Sequence, residues 1–488
     1  MMFLILFLFA ALCLWISSKC IYNVYFHPLR SYPGPWLCRA SSIPRIWHRT
    51  IGTNIPHAHR AHQMYGPVVR LSPTELSYIT SDAWNDIYAR HGGNNALPKE
   101  PAFNTPTGEL PPGLVQVVDG APHARQRRVF APAFTNTALK KQEEMILGHV
   151  RKLVAIFQRA SERSGAESEV NVTDVFNFLT FDVMADLSFG RPLGLLDAEE
   201  YSPWVKNVLA VFQLISIRGI VLFYLPQLKS LMLRAFTSKA VMEKRQTHIA
   251  YAAGLVDQRL DQGELDRPDI WSLVEKKQDL LTRPETYANA ATFMAAGTET
   301  ITTSLCGAVW FLTNHRERMD IVRKELRGLK TAENFTMESL AKLEYLNAVI
   351  NESMRLYPPT PDMLYRLVPE GGADICGKHV PAGMVVGLHQ YPAYHSALNF
   401  HRPEEFIPER WLPSASENEF ANDDRKILQP FSKGPRTCIG KNLAMHEIRL
   451  ALAHILWHFD IFVLETKGWM EQQKTNVVWE KPQLILRR

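Results

Sequence analysis

The run Phe431-Ser-Lys-Gly-Pro-Arg-Thr-Cys-Ile-Gly440 gathers residue types that can do chemistry together. Cys438 stands just ahead of an amphipathic stretch that starts at Lys441 and reads as a helix. A helix start offers free N–H groups and partial positive charge, both of which favour thiolate. Gly434 and Gly440 leave space for a flat group against the backbone, and Arg436 offers a fork for a carboxylate. A thiolate, a close-approach loop and a carboxylate clamp together describe a seat for haem. A lone buried cysteine is ordinarily a small hydrophobe, and the pattern around Cys438 outweighs that reading. Other constellations fail on spacing. Gly434 to Lys441 has five residues between its glycines where a phosphate-binding loop has four, with Asn442 where Ser or Thr belongs. His446-Glu447 has Leu at position 450, and His57, His59 and His62 have no nearby carboxylate or cysteine to complete a metal site.

These residues need a scaffold, and the sequence implies a mainly α one with small sheets. At 46% hydrophobic and 21% charged, the 488 residues describe an ordered globular chain. A net charge of +5 without a basic run excludes a nucleic-acid footprint, and 6 cysteines without a CxxC pair point to a reducing compartment. Met1 to Ile16 carries no charged side chain, and with Ser17 to Phe26 it is long enough to span a bilayer. Lys19 and Arg30 follow the apolar run Met1 to Ile16 and nothing basic precedes it, which places the remaining chain on the cytosolic side. Residues 27–35, with three prolines and a glycine, read as a hinge, and 36–488 as one large catalytic domain without linkers. Spacings of three and four predict helices over Glu143–Arg159, Trp204–Tyr224, Val241–Leu260, Pro284–Leu326, Ser339–Leu356 and Ile439–Phe459. Val68–Leu71 and Glu75–Ile79 read as strands, and Asp374–Leu388 as a hairpin about Pro381-Ala-Gly383.

The cysteine loop resembles the haem-binding signature of the cytochrome P450 superfamily, Phe-x-x-Gly-x-Arg-x-Cys-x-Gly, at Phe431, Gly434, Arg436, Cys438 and Gly440. Four further passages extend the resemblance. Glu352-Ser-Met-Arg355 matches the family's Glu-x-x-Arg, which the resemblance links to Arg410 in Pro408-Glu-Arg-Trp411 as a structural lock around the haem. Ala295-Ala-Gly-Thr-Glu-Thr300 matches the oxygen-binding motif. Gly297 costs about 1 kcal/mol in a helix interior, so a backbone opening is expected there, with Thr300 and Glu299 passing protons; the competing reading is a Ser/Thr-rich packing helix. Asp119 to Phe130 resembles the helix that carries Trp-x-x-x-Arg against the haem propionates, with His123 in place of the Trp and Arg127 kept. Arg366 is a further expected propionate contact.

What the resemblance implies is the P450 prism behind one transmembrane helix, haem b with Cys438 as the axial ligand of its iron, and oxygen insertion into a hydrophobic small molecule. No NADPH fingerprint is visible, so electrons would come from a separate NADPH–P450 reductase, with cytochrome b5 as an optional second donor. Lys433, Arg436 and Lys441 offer that partner positive charge. The implied place is the endoplasmic reticulum membrane. Phe26-His-Pro-Leu29 and the cysteine loop look most like the fungal membrane-bound branch that acts on secondary metabolites such as polyketides and terpenoids. Expected pocket walls are Gly92–Gly113, Val208–Leu225 and Phe293–Ala296. A haem-thiolate desaturase, isomerase or dehydratase is the alternative, and a membrane haem sensor a more distant one.

Overall fold

The apolar N-terminal run forms helix α1, Met2–Ile21, continued by a widened turn over Tyr22–Phe26, and no residue of α1 is buried. The 25 residues from Met2 to Phe26 are long and apolar enough to cross a membrane. A computed structural model describes residues 1–89, 96–104, 110–164, 168–225, 239–263, 269–274, 280–464, 468–475 and 478–487. After the proline-rich exit come α2 (Trp36–Ala40), α3 (Ile43–Thr50) and α4 (Asn54–Tyr65). Helix α3 is amphipathic with its faces exchanged: Arg45 and Arg49 are buried, while Ile43 is 70% and Trp47 60% exposed. Trp36 and Leu37 on α2 add to the same kind of exposed apolar surface. The buried arginines are neutralised by Glu75 and Asp362, which makes the exchange tolerable.

The helical body contains α5 (Gly120–Phe130), α6 (Asn136–Ser164), α7 (Val172–Phe189), α8 (Pro203–Tyr224), α9 (Lys239–Asp261) and α10 (Arg283–Asn314). It continues with α11 (Arg316–Arg327), α12 (Glu344–Leu356) and α13 (Lys441–His458). Two expected helices are each broken in two. Pro284–Leu326 breaks at His315, whose ψ of 71° leaves the helical region, and Ser339–Leu356 breaks around Leu343 with ψ 106°. Helix α7 has no counterpart among the expected helices. All its residues but Asp174 are buried, Asn177, Asp182 and Asp186 among them, so polar residues do not mark a solvent face with a helical period. It packs along α10 in the centre of the main apolar core, while α13 packs on α6. Helix α8 ends at Tyr224, ahead of Pro226, which lies outside the described residues.

Strands β1 (Val68–Ser72) and β2 (Glu75–Tyr78) form a hairpin, and β3 is Glu169–Asn171. Next come β4 (Arg366–Leu367), β5 (Ala373–Ile375), β6 (Lys378–Val380) and β7 (Val385–Leu388). The expected hairpin about Pro381–Gly383 is displaced: β5 turns into β6 at Cys376-Gly377, both at positive φ, and β7 leaves to pair with β2 in a sheet ordered β1-β2-β7-β4. The C-terminal strands are β8 (Phe462–Val463), β9 (Lys474–Thr475), β10 (Trp479–Glu480) and β11 (Ile485–Arg487), the last lying between β3 and β8.

Candidate functional site

The loop before α13 is folded on itself so that Cys438 is presented inward. The Cys438 N–H donates to Phe431 O at 2.8 Å, and the Thr437 hydroxyl caps the same carbonyl at 3.2 Å. Gly434 has φ 79°, and a Cβ there would stand 2.1 Å from Tyr88 O, so glycine is required by both conformation and space. At Gly440 an added Cβ would meet only the Cys438 sulfur, at 3.9 Å. Cys438 keeps accessible surface although protein surrounds it, which is the signature of a side chain facing an internal cleft. Burial pushes its thiol above the usual range; the Gly440 N–H, Arg127 and Lys441 pull the other way and lose. The helix start alone therefore does not make the thiolate, as the sequence led one to expect. A cation bound at sulfur would.

Above the loop, five basic side chains converge. Arg127 on α5 donates to Thr437 O at 2.7 Å, and Arg436 turns inward to the carbonyls of Val117 and Val118. Lys99 donates to Val115 O and pairs through its backbone with Arg366. Arg366 is 5% exposed, lies 4.9 Å over the Tyr88 ring, and leaves its Nε without a partner. His123 is 6% exposed on α5. Burial, then Arg436, Lys99, Arg127 and Arg366, lower its pKa to about 4. Burial with Arg366 and Arg436 takes Lys99 well below the ordinary lysine value, and burial takes Arg366 down to about 10. No ion pair to any of the five occurs among the described residues. A cluster of basic groups with a buried, unpaired guanidinium nitrogen on Arg366 calls for an anionic ligand, and the two propionates of haem suit it. Lys99 was not singled out in the sequence; only its pairing with Arg366 brings it here.

The segment Gly113–Val118 joins this cluster to α10. Leu114 N–H donates to Asn289 Oδ1 at 2.8 Å, and a Cβ on Gly113 would stand 2.6 Å from Thr292 Oγ1. One and two turns further along α10, Ala296 is exposed and Thr300 partly exposed inside the body of the protein. They share one face at i and i+4, and the segment 113–118 links the preceding turns of α10 to the loop that carries Cys438. Helix α10 is unbroken through this motif, against the expectation of a local opening. The threonines return their hydroxyls to the preceding turn: Thr298 to Met294 O at 2.9 Å, Thr300 to Ala296 O at 2.8 Å, Thr303 to Glu299 O at 2.7 Å. Gly297 serves packing, since a Cβ there would lie 2.5 Å from Met184 Sδ on α7. Glu299 is 6% exposed and forms an ion pair with Lys481, away from the Thr300 face.

Around the site, Glu352 and Arg355 are fully buried and joined by two 2.8 Å hydrogen bonds. Arg410 donates to Glu352 at 3.2 Å and pairs with Asp423. Glu352 also accepts from Ile407 N–H at 2.9 Å and Trp411 Nε1 at 2.8 Å. Of the expected pocket walls, Phe103 and Phe223 meet at 5.1 Å between ring centroids, with Phe103 stacked on Tyr365 at 4.3 Å. Residues 92–95 and 105–109 of the first wall lie outside the described residues. On the outer side of the loop, Lys433 and Lys441 are exposed beside a shallow concavity lined by Asn351, Phe431, Lys441 and Arg449. Arg436 belongs to the inner cluster and not to this surface.

Comparison with known proteins agrees with this geometry. The family model described as Cytochrome P450 matches residues 40–487. The chain is 39% identical over 473 residues to cytochrome P450 monooxygenase FUM2 of Gibberella moniliformis, covering 96% of this chain and 99% of that protein. It is 37% identical to averantin hydroxylase of Dothistroma septosporum, covering 98% and 90%, and 36% identical to cytochrome P450 monooxygenase stcF of Emericella nidulans, covering 97% of each. With an accessible cysteine set beside a cluster of basic side chains, and a family match from residue 40 to 487, the chain belongs to the cytochrome P450 family and is a haem-thiolate monooxygenase driven by NAD(P)H through a reductase.

Proposed function

We propose that this protein hydroxylates or epoxidises a hydrophobic small molecule of fungal secondary metabolism, held between α10 and the Phe103–Phe223 wall. The observation that carries the reading is the pairing of an inward-facing Cys438 with five clustered basic groups, His123 and Arg366 buried, that form no ion pair among the described residues. Haem, when bound through Cys438, supplies oxygen activation and a path for two electrons. The protein's own residues do the rest. Arg127, Arg436, Arg366, Lys99 and His123 hold the propionates, and a neutral His123 donates one hydrogen bond without adding charge. Phe431, Gly434 and Gly440 shape the loop that aims the sulfur. Thr300 gives its own proton to Ala296 O, so its oxygen is left to accept a hydrogen bond and to orient a proton donor in the cleft. Apolar walls exclude water and select for a hydrophobic substrate.

The domain reading is an anchor at 1–26, a hinge at 27–35 and a catalytic body at 36–488, seated on the cytosolic face of the endoplasmic reticulum. Exposed Ile43, Trp47, Trp36 and Leu37, next to the anchor, support a body resting on lipid. The reductase, and cytochrome b5 with it, would dock on the outer face of the cysteine loop through Lys433, Lys441 and Arg449. The deciding experiment compares metabolites of cells with and without the chain. The purified protein then turns over the missing substrate with reductase, NADPH and 18O-labelled dioxygen. One labelled oxygen atom in the product is expected. An unlabelled product would replace the reading with a desaturase, isomerase or dehydratase.

A further inference from the structure

The Glu299 carboxylate and the Lys481 ammonium form an ion pair whose side chains are 8% and 4% exposed. Lys481 also donates to Thr303 Oγ1 at 3.2 Å, one helical turn beyond Glu299. The lysine comes from the last stretch of the chain, between β10 and β11, and its segment is tied down on both sides. Trp479 Nε1 donates to Pro358 O at 2.8 Å, and Pro482 O accepts from Trp469 Nε1 at 3.2 Å and Thr173 Oγ1 at 3.3 Å. The C-terminus thus reaches under α10 and delivers one fixed cation to the acidic member of the Glu299–Thr300 pair. Thr300 and Glu299 are neighbours in sequence, yet the pairing turns Glu299 from the cleft face that Thr300 shares with Ala296.

We propose that Lys481 is a positioning residue for proton delivery: it seats Glu299 as a carboxylate behind Thr300 and so fixes the pH range over which protons reach the Thr300 hydroxyl. This rests on the reading of Thr300 given above, but the seating of Glu299 can be tested without it. The other titratable groups facing the pair are Asp174, at the start of α7, with Tyr201, Cys306 and Tyr357. Burial pushes Cys306 up to about 12 and raises both tyrosines further, so none of the three titrates near neutrality. Asp174 is satisfied separately by Tyr201 OH at 2.7 Å and by Asn171. Removing the Lys481 charge leaves one buried carboxylate uncompensated, and burial without a counter-charge favours its acid form.

The test is infrared spectroscopy of the full-length, haem-loaded protein in its resting state, titrated between about pH 6 and about pH 9, a window around neutrality in which an ordinary carboxyl is ionised. K481M is expected to gain the carbonyl stretch of one protonated carboxyl, absent from the native protein, from K481R and from K481M/E299Q. The product-to-NADPH ratio, flat with pH in the native enzyme and in K481R, is expected to change roughly tenfold across that window in K481M and to lose this dependence in K481M/E299Q. If K481M does not fold, the native protein against E299Q decides. A Glu299 carboxylate band that persists to the acid end supports the seating, and a protonated Glu299 at neutral pH overturns it. A K481M protein with no new carboxyl band, or with the band but a native pH profile, would reduce Lys481 to a packing residue. A changed Thr300 role alone would leave the infrared result untouched.

Discussion

Cys438 is held between opposing influences: burial raises its thiol, and the Gly440 N–H with Arg127 and Lys441 lowers it. Replacing it with Ala should abolish the red-shifted Soret band of the reduced carbon monoxide complex. A histidine-type band in the unmutated protein would contradict the assignment. Thr300→Ala removes the one cleft-facing hydroxyl of its motif and substitutes a better helix former. Haem content and NADPH consumption should persist while product per NADPH falls and hydrogen peroxide rises, measured in one reaction; an unchanged ratio would return Thr300 to packing. Single residues in a fixed local spacing, such as Phe431, Gly434, Arg436, Cys438 and Gly440, are legible in sequence because their geometry is local. Lys99 is not, because the strand-like pairing with Arg366 that brings it to the cluster comes from far along the chain. Gly297 reads as a weak point of a helix until Met184 of α7 is seen against it.

At the scale of elements, that contact fixes how closely α7 and α10 approach. Gly297→Ala gains about 1 kcal/mol of helix propensity and loses about 1–3 kcal/mol by overpacking Met184, so a lower melting temperature is expected. The Glu352 lock joins α12 to the Pro408–Trp411 turn with no side-chain exposure. Glu352→Gln leaves Arg355 and Arg410 short of a counter-charge and should cost about 3–5 kcal/mol, read from chemical denaturation. Coulombic and hydrogen-bonding contacts from Arg355 and Arg410 outweigh burial and hold the Glu352 carboxyl below its ordinary value. The folded state therefore binds its proton less readily than the unfolded chain. The stabilisation is complete above the unfolded carboxyl pKa of about 4.3 and is lost as pH falls through the folded value. Amphipathic elements such as α6 and α13 were readable from their period. Helix α7, buried on nearly every side, and the break at His315 were not, since tertiary packing alone determines them.

Across the whole molecule, buried histidines set the response to acid. Burial lowers His27, His123, His446 and His454 to about 4, and His57 and His62 to about 3. An unfolded histidine titrates near 6.5, so between there and about pH 4 the unfolded chain binds more protons and stability falls with acid. Melting temperatures from pH 7.5 down to about 5 should decline steadily; a flat profile would mean these rings are charged in the fold. The proposed orientation is checked at Asn334, an exposed glycosylation acceptor: a glycan there after expression in a secreting host would place the body in the lumen. The five basic groups above Cys438 have a last consequence, for biosynthesis. The arginines of the cluster keep their charge and Arg436 acts on Arg366 as a like charge, so the chain before cofactor loading carries that repulsion. Maturation and cofactor supply are then one process: a haem-starved host should accumulate aggregated or degraded chain instead of a soluble reservoir awaiting loading, and its yield should track the cell's capacity to make haem.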